Sequence, residues 1–162
     1  MRFKVASTSR RFVELVVRSR DPWSMNLGYW RMPEKTAQEF RADGFFITGD
    51  LGKIDAAGYV HILGRGKDLI ISGGLNVYPK EVEDRILELP GIADCAVIGV
   101  PHRDFGEAVV AVCVGSGEEA GVIAALSDQL AKFKQPKKII FVDDLPRNTM
   151  GKVQKNVLRD QY

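Results

Sequence analysis

At 162 residues, with 45% apolar and 27% charged side chains, the chain has the size of one globular domain, or of one domain plus a piece of another. The net charge of +2 is uneven: six Lys/Arg in residues 1–22 face Glu14 and Asp21, eight in residues 132–162 face three Asp, and the middle is acidic by seven. No apolar run is long enough to span a bilayer, and no aromatic-interleaved motif or reading helix accompanies the basic ends, so neither a membrane nor a nucleic acid is expected as partner.

Residues 1–12, MRFKVASTSRRF, are rich in Arg and Ser and hold no acid. They superficially suit a mitochondrial presequence. The alternative is a start codon inside a truncated or rearranged gene, and on either reading the tract is expected to be disordered. Residues 14–18 (ELVVR) have the β-branched density of a strand, broken at Asp21-Pro22. Residues 36–41 suit a short helix. Residues 45–50 and 59–63 read as strands around the turn Asp55-Ala56-Ala57-Gly58.

Residues 69–71 form a short apolar strand running into Ser72-Gly73-Gly74. Tyr78-Pro79 opens a helix over 79–89, with Pro in its first turn, acids near its positive end, and Val82, Ile86 and Leu89 on one face. Pro90-Gly91 ends it. Residues 92–100 and 108–115 are apolar runs of strand length on either side of a polar turn. A helix over 118–132 places Val122, Leu126 and Leu130 on one face, a strand spans 139–142, and residues 151–159 make a short basic helix or loop. Strands and helices mix without strict alternation, which argues an α+β class: a small mixed domain with a short antiparallel sheet flanked by helices, preceded by a β-rich segment.

Cys95 and Cys113 lie in apolar runs at a spacing that fits neither zinc nor a redox pair, so they read as buried free thiols in a reducing, cytoplasmic setting. His61 and His102, the only histidines, have no Ser or Cys partner arrangement, and no metal site is expected.

The densest signal is residues 64–83, GRGKDLIISGGLNVYPKEVE: a cationic glycine-flanked turn, a strand, a bare glycine pair and a Pro-opened helix. Taken in order with ELVVR, Gly28-Tyr29-Trp30, Thr48-Gly49-Asp50 and PRNTMGKVQK (residues 146–155), it resembles the acyl-CoA synthetase and adenylate-forming ligase superfamily over roughly residues 13–162. The wording GYWRMPEKT, FFITGDLGKID and DDLPRNTMGKVQKNVLR looks most like malonyl-CoA synthetases. The phosphate loop rich in Gly, Ser and Thr and the YGxTE segment of that family have no counterpart here. The resemblance therefore implies that residues 13–64 close the large adenylation domain and residues 65–162 are the C-terminal lid, and that the chain by itself does not adenylate.

The same resemblance implies roles. Lys152 would stabilise the charge that builds when a carboxylate attacks the α-phosphate of ATP; a positioned ammonium suits that task. Asp50 would accept hydrogen bonds from the ribose hydroxyls, joined by Arg65. Lys67 falls at the hinge, where Gly64 and Gly66 supply torsional freedom. Gly73 and Gly74 would line the tunnel for the thiol arm of CoA. Lys132, Lys134, Lys137 and Lys138 read first as a solvated face and second as help for the CoA phosphates. The implied reaction joins a carboxylic acid to CoA with Mg-ATP in two half-reactions, the lid turning between them. Two other readings stay open: a stand-alone CoA-binding or subunit-docking module, with a separately encoded large domain as one partner it could dock on, and a lid that serves a carrier-protein thiol.

Overall fold

The computed structural model describes residues 2–6, 13–18 and 28–162. The chain divides into two compact units, Met1–Lys67 and Asp68–Tyr162.

The first unit is an antiparallel sheet of four strands in sequence order: β1 (Arg2–Ala6), β2 (Val13–Arg18), β3 (Phe46–Ile54) and β4 (Val60–Arg65). Arg2–Ala6 thus pairs with β2 where sequence reading expects no ordered structure; the rest of that tract, and the break at Asp21-Pro22, lie outside the described residues. The short helix α1 (Pro33–Glu39) starts three residues earlier than expected, because Pro33 sits in its first turn, where the missing N–H costs nothing. The turn after β3 is the expected one. Asp55 Oδ1 accepts from the amides of Ala57 (3.0 Å) and Tyr59 (2.9 Å), and His61 Nε2 lies 2.8 Å from Oδ2.

A 3₁₀ turn, Gly66–Asp68, leads into the second unit. Its elements are β5 (Ile70–Ser72), β6 (Leu75–Val77), α2 (Pro79–Leu87), β7 (Ile92–His102), β8 (Gly106–Gly115), α3 (Glu119–Leu126), β9 (Lys138–Val142) and α4 (Lys155–Gln161). The long β7–β8 hairpin is the frame. One edge of β8 carries β7 along its length; the other carries β5 at Ser72 opposite Gly106, and then β9, in parallel, from Val110 to Val114. The sheet is covered on both faces, which explains why β7 and β8 read as unbroken apolar runs. On one face Val82 and Ile86 of α2 and Val122 and Leu126 of α3 pack with Val97, Val109 and Ala111. On the other, Leu158 of α4 and Leu145 pack with Ala96, Ile98, Val110 and Val112. The class is the expected α+β, with one parallel strand that the sequence did not announce.

Two elements differ from expectation. The glycine pair does not lead from a strand into a loop: Ser72 pairs with Leu75, so Gly73-Gly74 is the two-residue turn of a hairpin. Both glycines have positive φ, +59° and +77°, the requirement of a type I′ turn. Second, the expected helix over 118–132 stops at Leu126. Ser127 Oγ donates to the Ala124 carbonyl at 2.7 Å, competing for the backbone as short polar side chains do. Leu130 still reaches the core through the turns that follow.

Candidate functional site

In the first unit, Asp50 and Arg65 are register partners across β3 and β4. Arg65 Nε lies 3.1 Å from Asp50 Oδ1, and its Nη1 donates to the Thr48 carbonyl at 2.7 Å. Thr48 Oγ1 in turn donates to the Leu15 carbonyl (2.7 Å) and accepts the Asp50 amide (3.0 Å). The TGD triplet is thereby locked to β2 on one side and to Arg65 on the other. Asp50 presents a half-buried carboxylate, an acceptor of the kind a vicinal diol needs, with a fixed guanidinium beside it.

Lys67 is the last residue of the first unit, and its side chain has no hydrogen bond or ion pair among the described residues. Its neighbours are held. Arg65 is tied to Asp50 and Thr48 of its own unit, while Asp68 is paired with Arg159 on α4 of the second. The free backbone between two such anchors is short, and Lys67 is in it.

In the second unit, Gly73 and Gly74 share the β5–β6 turn, and the Gly73 amide donates to the Phe105 carbonyl in the β7–β8 turn at 2.8 Å. A Cβ on Gly74 would meet no atom within 4 Å, so the turn faces open space. Lys152 sits in a different loop, residues 146–154. That loop is built on Asn148, whose Oδ1 accepts the amides of Met150 and Lys152, each at 3.0 Å, while its own amide donates to the Lys152 carbonyl at 2.9 Å. Arg147 donates to the Gly151 carbonyl at 2.6 Å and pairs with Asp94 near the start of β7. The Lys152 side chain is exposed, with no hydrogen bond or ion pair among the described residues.

These contacts put the two loops at opposite ends of the β7–β8 ladder. Asp94 anchors the Lys152 loop at one end, and Phe105 anchors the glycine turn at the other. At the rise of a strand, the stretch from Asp94 to His102 alone is roughly 25 Å. One reaction centre cannot be served by both loops in a single orientation of this unit.

Residues 81–152 match the AMP-binding enzyme C-terminal domain family. The ATP-bound MatB of Rhodopseudomonas palustris superposes with a TM-score of 0.84 at 64% identity, covering 93% of this chain and 30% of that one.

The chain carries an AMP-binding enzyme C-terminal domain.

Other relatives agree. A long-chain-fatty-acid–CoA ligase of Mycobacterium tuberculosis is 46% identical over 137 residues, 83% of this chain and 27% of that protein. An o-succinylbenzoate-CoA synthetase of Bacillus subtilis, solved with its acyl-adenylate, gives a TM-score of 0.90 at 32% identity over 98% of this chain and 34% of that one. The chain spans about a third or less of the length of these relatives. Lys152 is the last residue of the matched family segment; Asp50, Arg65, Lys67, Gly73 and Gly74 precede it.

Several residues that organise this C-terminal domain went unread. Glu83 of α2 accepts both the Val97 amide (2.8 Å) and Lys155 Nζ (2.5 Å), fastening the first turn of α4 to α2 and β7. Asp94 and Arg147, Asp68 and Arg159 do similar work across long separations. A lone acid inside an apolar strand, as in IADCAVIGV, is the one local signal that could have pointed to Asp94. Of the four lysines in the basic cluster, Lys134 is taken up by Glu81 at 2.6 Å, and Lys137 Nζ stands over the Phe105 ring at 5.5 Å. The cysteines are direct cross-strand partners, Sγ to Sγ 3.7 Å; the hydrogen bond between them and burial push the Cys95 thiol above its usual range, which keeps it unreactive. Among the described residues no helix is long and apolar enough to cross a membrane.

Proposed function

We propose that this C-terminal domain works as the lid of an ATP-dependent acid–CoA ligase, with malonate as the acid. The observation that carries the reading is the placement of Lys152 and Gly73-Gly74 at opposite ends of one rigid ladder. A ligase of this class runs two chemistries in turn, adenylation and thioester formation, and a lid with one tool at each end does so by turning. Lys152, without a side-chain partner among the described residues and with its backbone held by the Asn148 clamp, meets the charge that develops at the α-phosphate and on pyrophosphate. Withdrawn, it is replaced by the glycine turn, whose lack of side chains leaves room for a thiol arm. Lys67, between two anchored neighbours, is the point about which the unit turns. Asp50 and Arg65 hold the ribose.

Similarity to MatB, a malonyl-CoA synthetase, favours malonate. Among the described residues no cluster of three or more His, Cys, Asp or Glu could hold a metal ion. Mg²⁺ would enter with the nucleotide phosphates, as the partner of ATP.

The test joins residues 13–162 to the large domain of the Rhodopseudomonas palustris MatB and assays the half-reactions separately. Lys152→Ala lowers malonate-dependent pyrophosphate exchange by about two to three orders of magnitude and spares thioester formation from supplied acyl-adenylate. Gly74→Leu does the reverse. Equal loss of both half-reactions in both variants would overturn the two-ended lid, and a carrier-protein thiol accepted in place of CoA would redirect it.

A further inference from the structure

β5 leaves the sheet almost as soon as it joins. Among the described residues its one ladder pair with β8 is Ser72 opposite Gly106. Beyond that point the same edge of β8 is given to β9, and the Val109 carbonyl is taken by the Lys137 amide at 2.8 Å. Ser72 and Leu75 close the two-residue hairpin, so the next amide, Ile71, points away from β6 by the alternation of an antiparallel ladder. Among the described residues no strand receives it. The Glu107 carboxylate does: Ile71 N donates to Glu107 Oε2 at 2.7 Å.

Room for that carboxylate is made on a third strand. A Cβ on Gly99 of β7 would stand 2.6 Å from Glu107 Oε1 and 3.1 Å from Ile70 Cγ2. Bare backbone at Gly99 thus lets the side chain cross from β8 toward β5. The bond is charge-assisted, roughly twice as strong as a neutral one. With the Ser72–Gly106 pair and the Gly73 amide on the Phe105 carbonyl, it fastens the base of the hairpin to the frame.

We infer that Glu107 is a positioning residue for the thiol-accepting half-reaction: lying over Gly99, it supplies the ladder acceptor that β5 lacks and sets the Gly73-Gly74 turn. The inference rests on the reading of that turn as the thiol-facing loop. Ile71 is exposed, so in a Glu107→Ala variant water can take its amide and the fold survives. What is lost is the aim of the turn.

Two readouts test this. In the 162-residue chain, Glu107→Ala speeds hydrogen exchange at the Ile71 amide while the Ile98 amide, in the middle of the ladder, keeps its protection; unchanged exchange at Ile71 overturns the inference. In the fusion with the MatB large domain, Glu107→Ala slows thioester formation about ten- to a hundred-fold relative to adenylation, the scale of a small misplacement of a reacting group. Gly99→Ala, which displaces the carboxylate, matches it; the double variant is no worse than either single one, and Glu107→Gln, which keeps one acceptor, recovers most of the rate. Equal loss in both half-reactions overturns the positioning role. If Gly74→Leu blocks thioester formation and Glu107→Ala does not, the positioning role fails alone. If Gly74→Leu leaves thioester formation intact, the reading of the turn fails and takes the inference with it.

Discussion

The two compact units are built on sheets that are wholly antiparallel in the first and antiparallel but for β9 in the second, and they bury their side chains in opposite ways. In the second, helices and loops cover both faces, and residues such as Val82, Ile86, Val97, Ile98 and Leu126 have no exposure at all. In the first, the described apolar side chains that are fully buried are Leu15, Val16 and Phe45, while Tyr59 is 71% and Ile62 62% exposed. A sheet becomes self-sufficient when each face meets a helix or another sheet, not when it has enough strands. The second unit meets that condition within the chain. Among its described residues the first has one short helix, and its strands hold through their ladders and the Thr48 and Asp55 contacts.

The sharpest test of that contrast is a pair of truncations. Ile86→Ala, in the closed core between α2 and the sheet, should lower unfolding stability by about 2–5 kcal/mol in a denaturant melt. Ile62→Ala, on the open face of β4, should change it by less than about 0.5 kcal/mol. Similar losses at the two sites would mean that the face of the first unit is covered in solution.

A smaller effect separates ion pairs by burial. Lys155 and Glu83 are 19% and 16% exposed, and the same Glu83 oxygen also holds the Val97 amide. Lys155→Met should therefore cost about 1–3 kcal/mol, because a mostly buried carboxylate loses its cation. Lys80 and Asp84 sit on the surface of α2, 61% and 51% exposed, and Lys80→Met should be near neutral by the same measurement.

The smallest effect belongs to the first unit and depends on pH. The His61 hydrogen bond, then the Tyr59 and Ala57 amides, hold Asp55 below the usual carboxylate range. A carboxylate whose folded value is depressed stabilises the fold above its unfolded value, and that contribution fades as pH falls through the folded one. Acidification below about pH 4 should thus loosen the β3–β4 turn, seen as faster exchange at the Tyr59 amide. Asp55→Asn, which keeps an acceptor for both amides, should flatten that dependence.

Much of this was legible from local pattern. β-Branched density located β2 and apolar runs located β7 and β8, Pro79 marked the start of α2, and Asp55 with Gly58 marked a turn, because each depends on backbone preferences within a few residues. The resemblance of their motifs to a family is what nominated Lys152, Asp50 and Arg65. One local signal was there and was passed over: two apolar runs separated by Gly-Gly are the mark of a two-residue hairpin, and β6 follows from it.

What the sequence determined by itself, then, is the set of elements and the chemical groups they carry, since propensity, capping and turn chemistry act between near neighbours. Only the tertiary structure decided where those groups stand. That Lys152 and Gly73-Gly74 occupy opposite ends of one ladder depends on Arg147 finding Asp94 and the Gly73 amide finding Phe105. That Glu107 reaches the Ile71 amide depends on β9 claiming the edge of β8 and on bare backbone at Gly99. Such pairs join residues tens of positions apart, and no periodicity encodes them; they exist only when packing of the apolar faces has brought the strands into register.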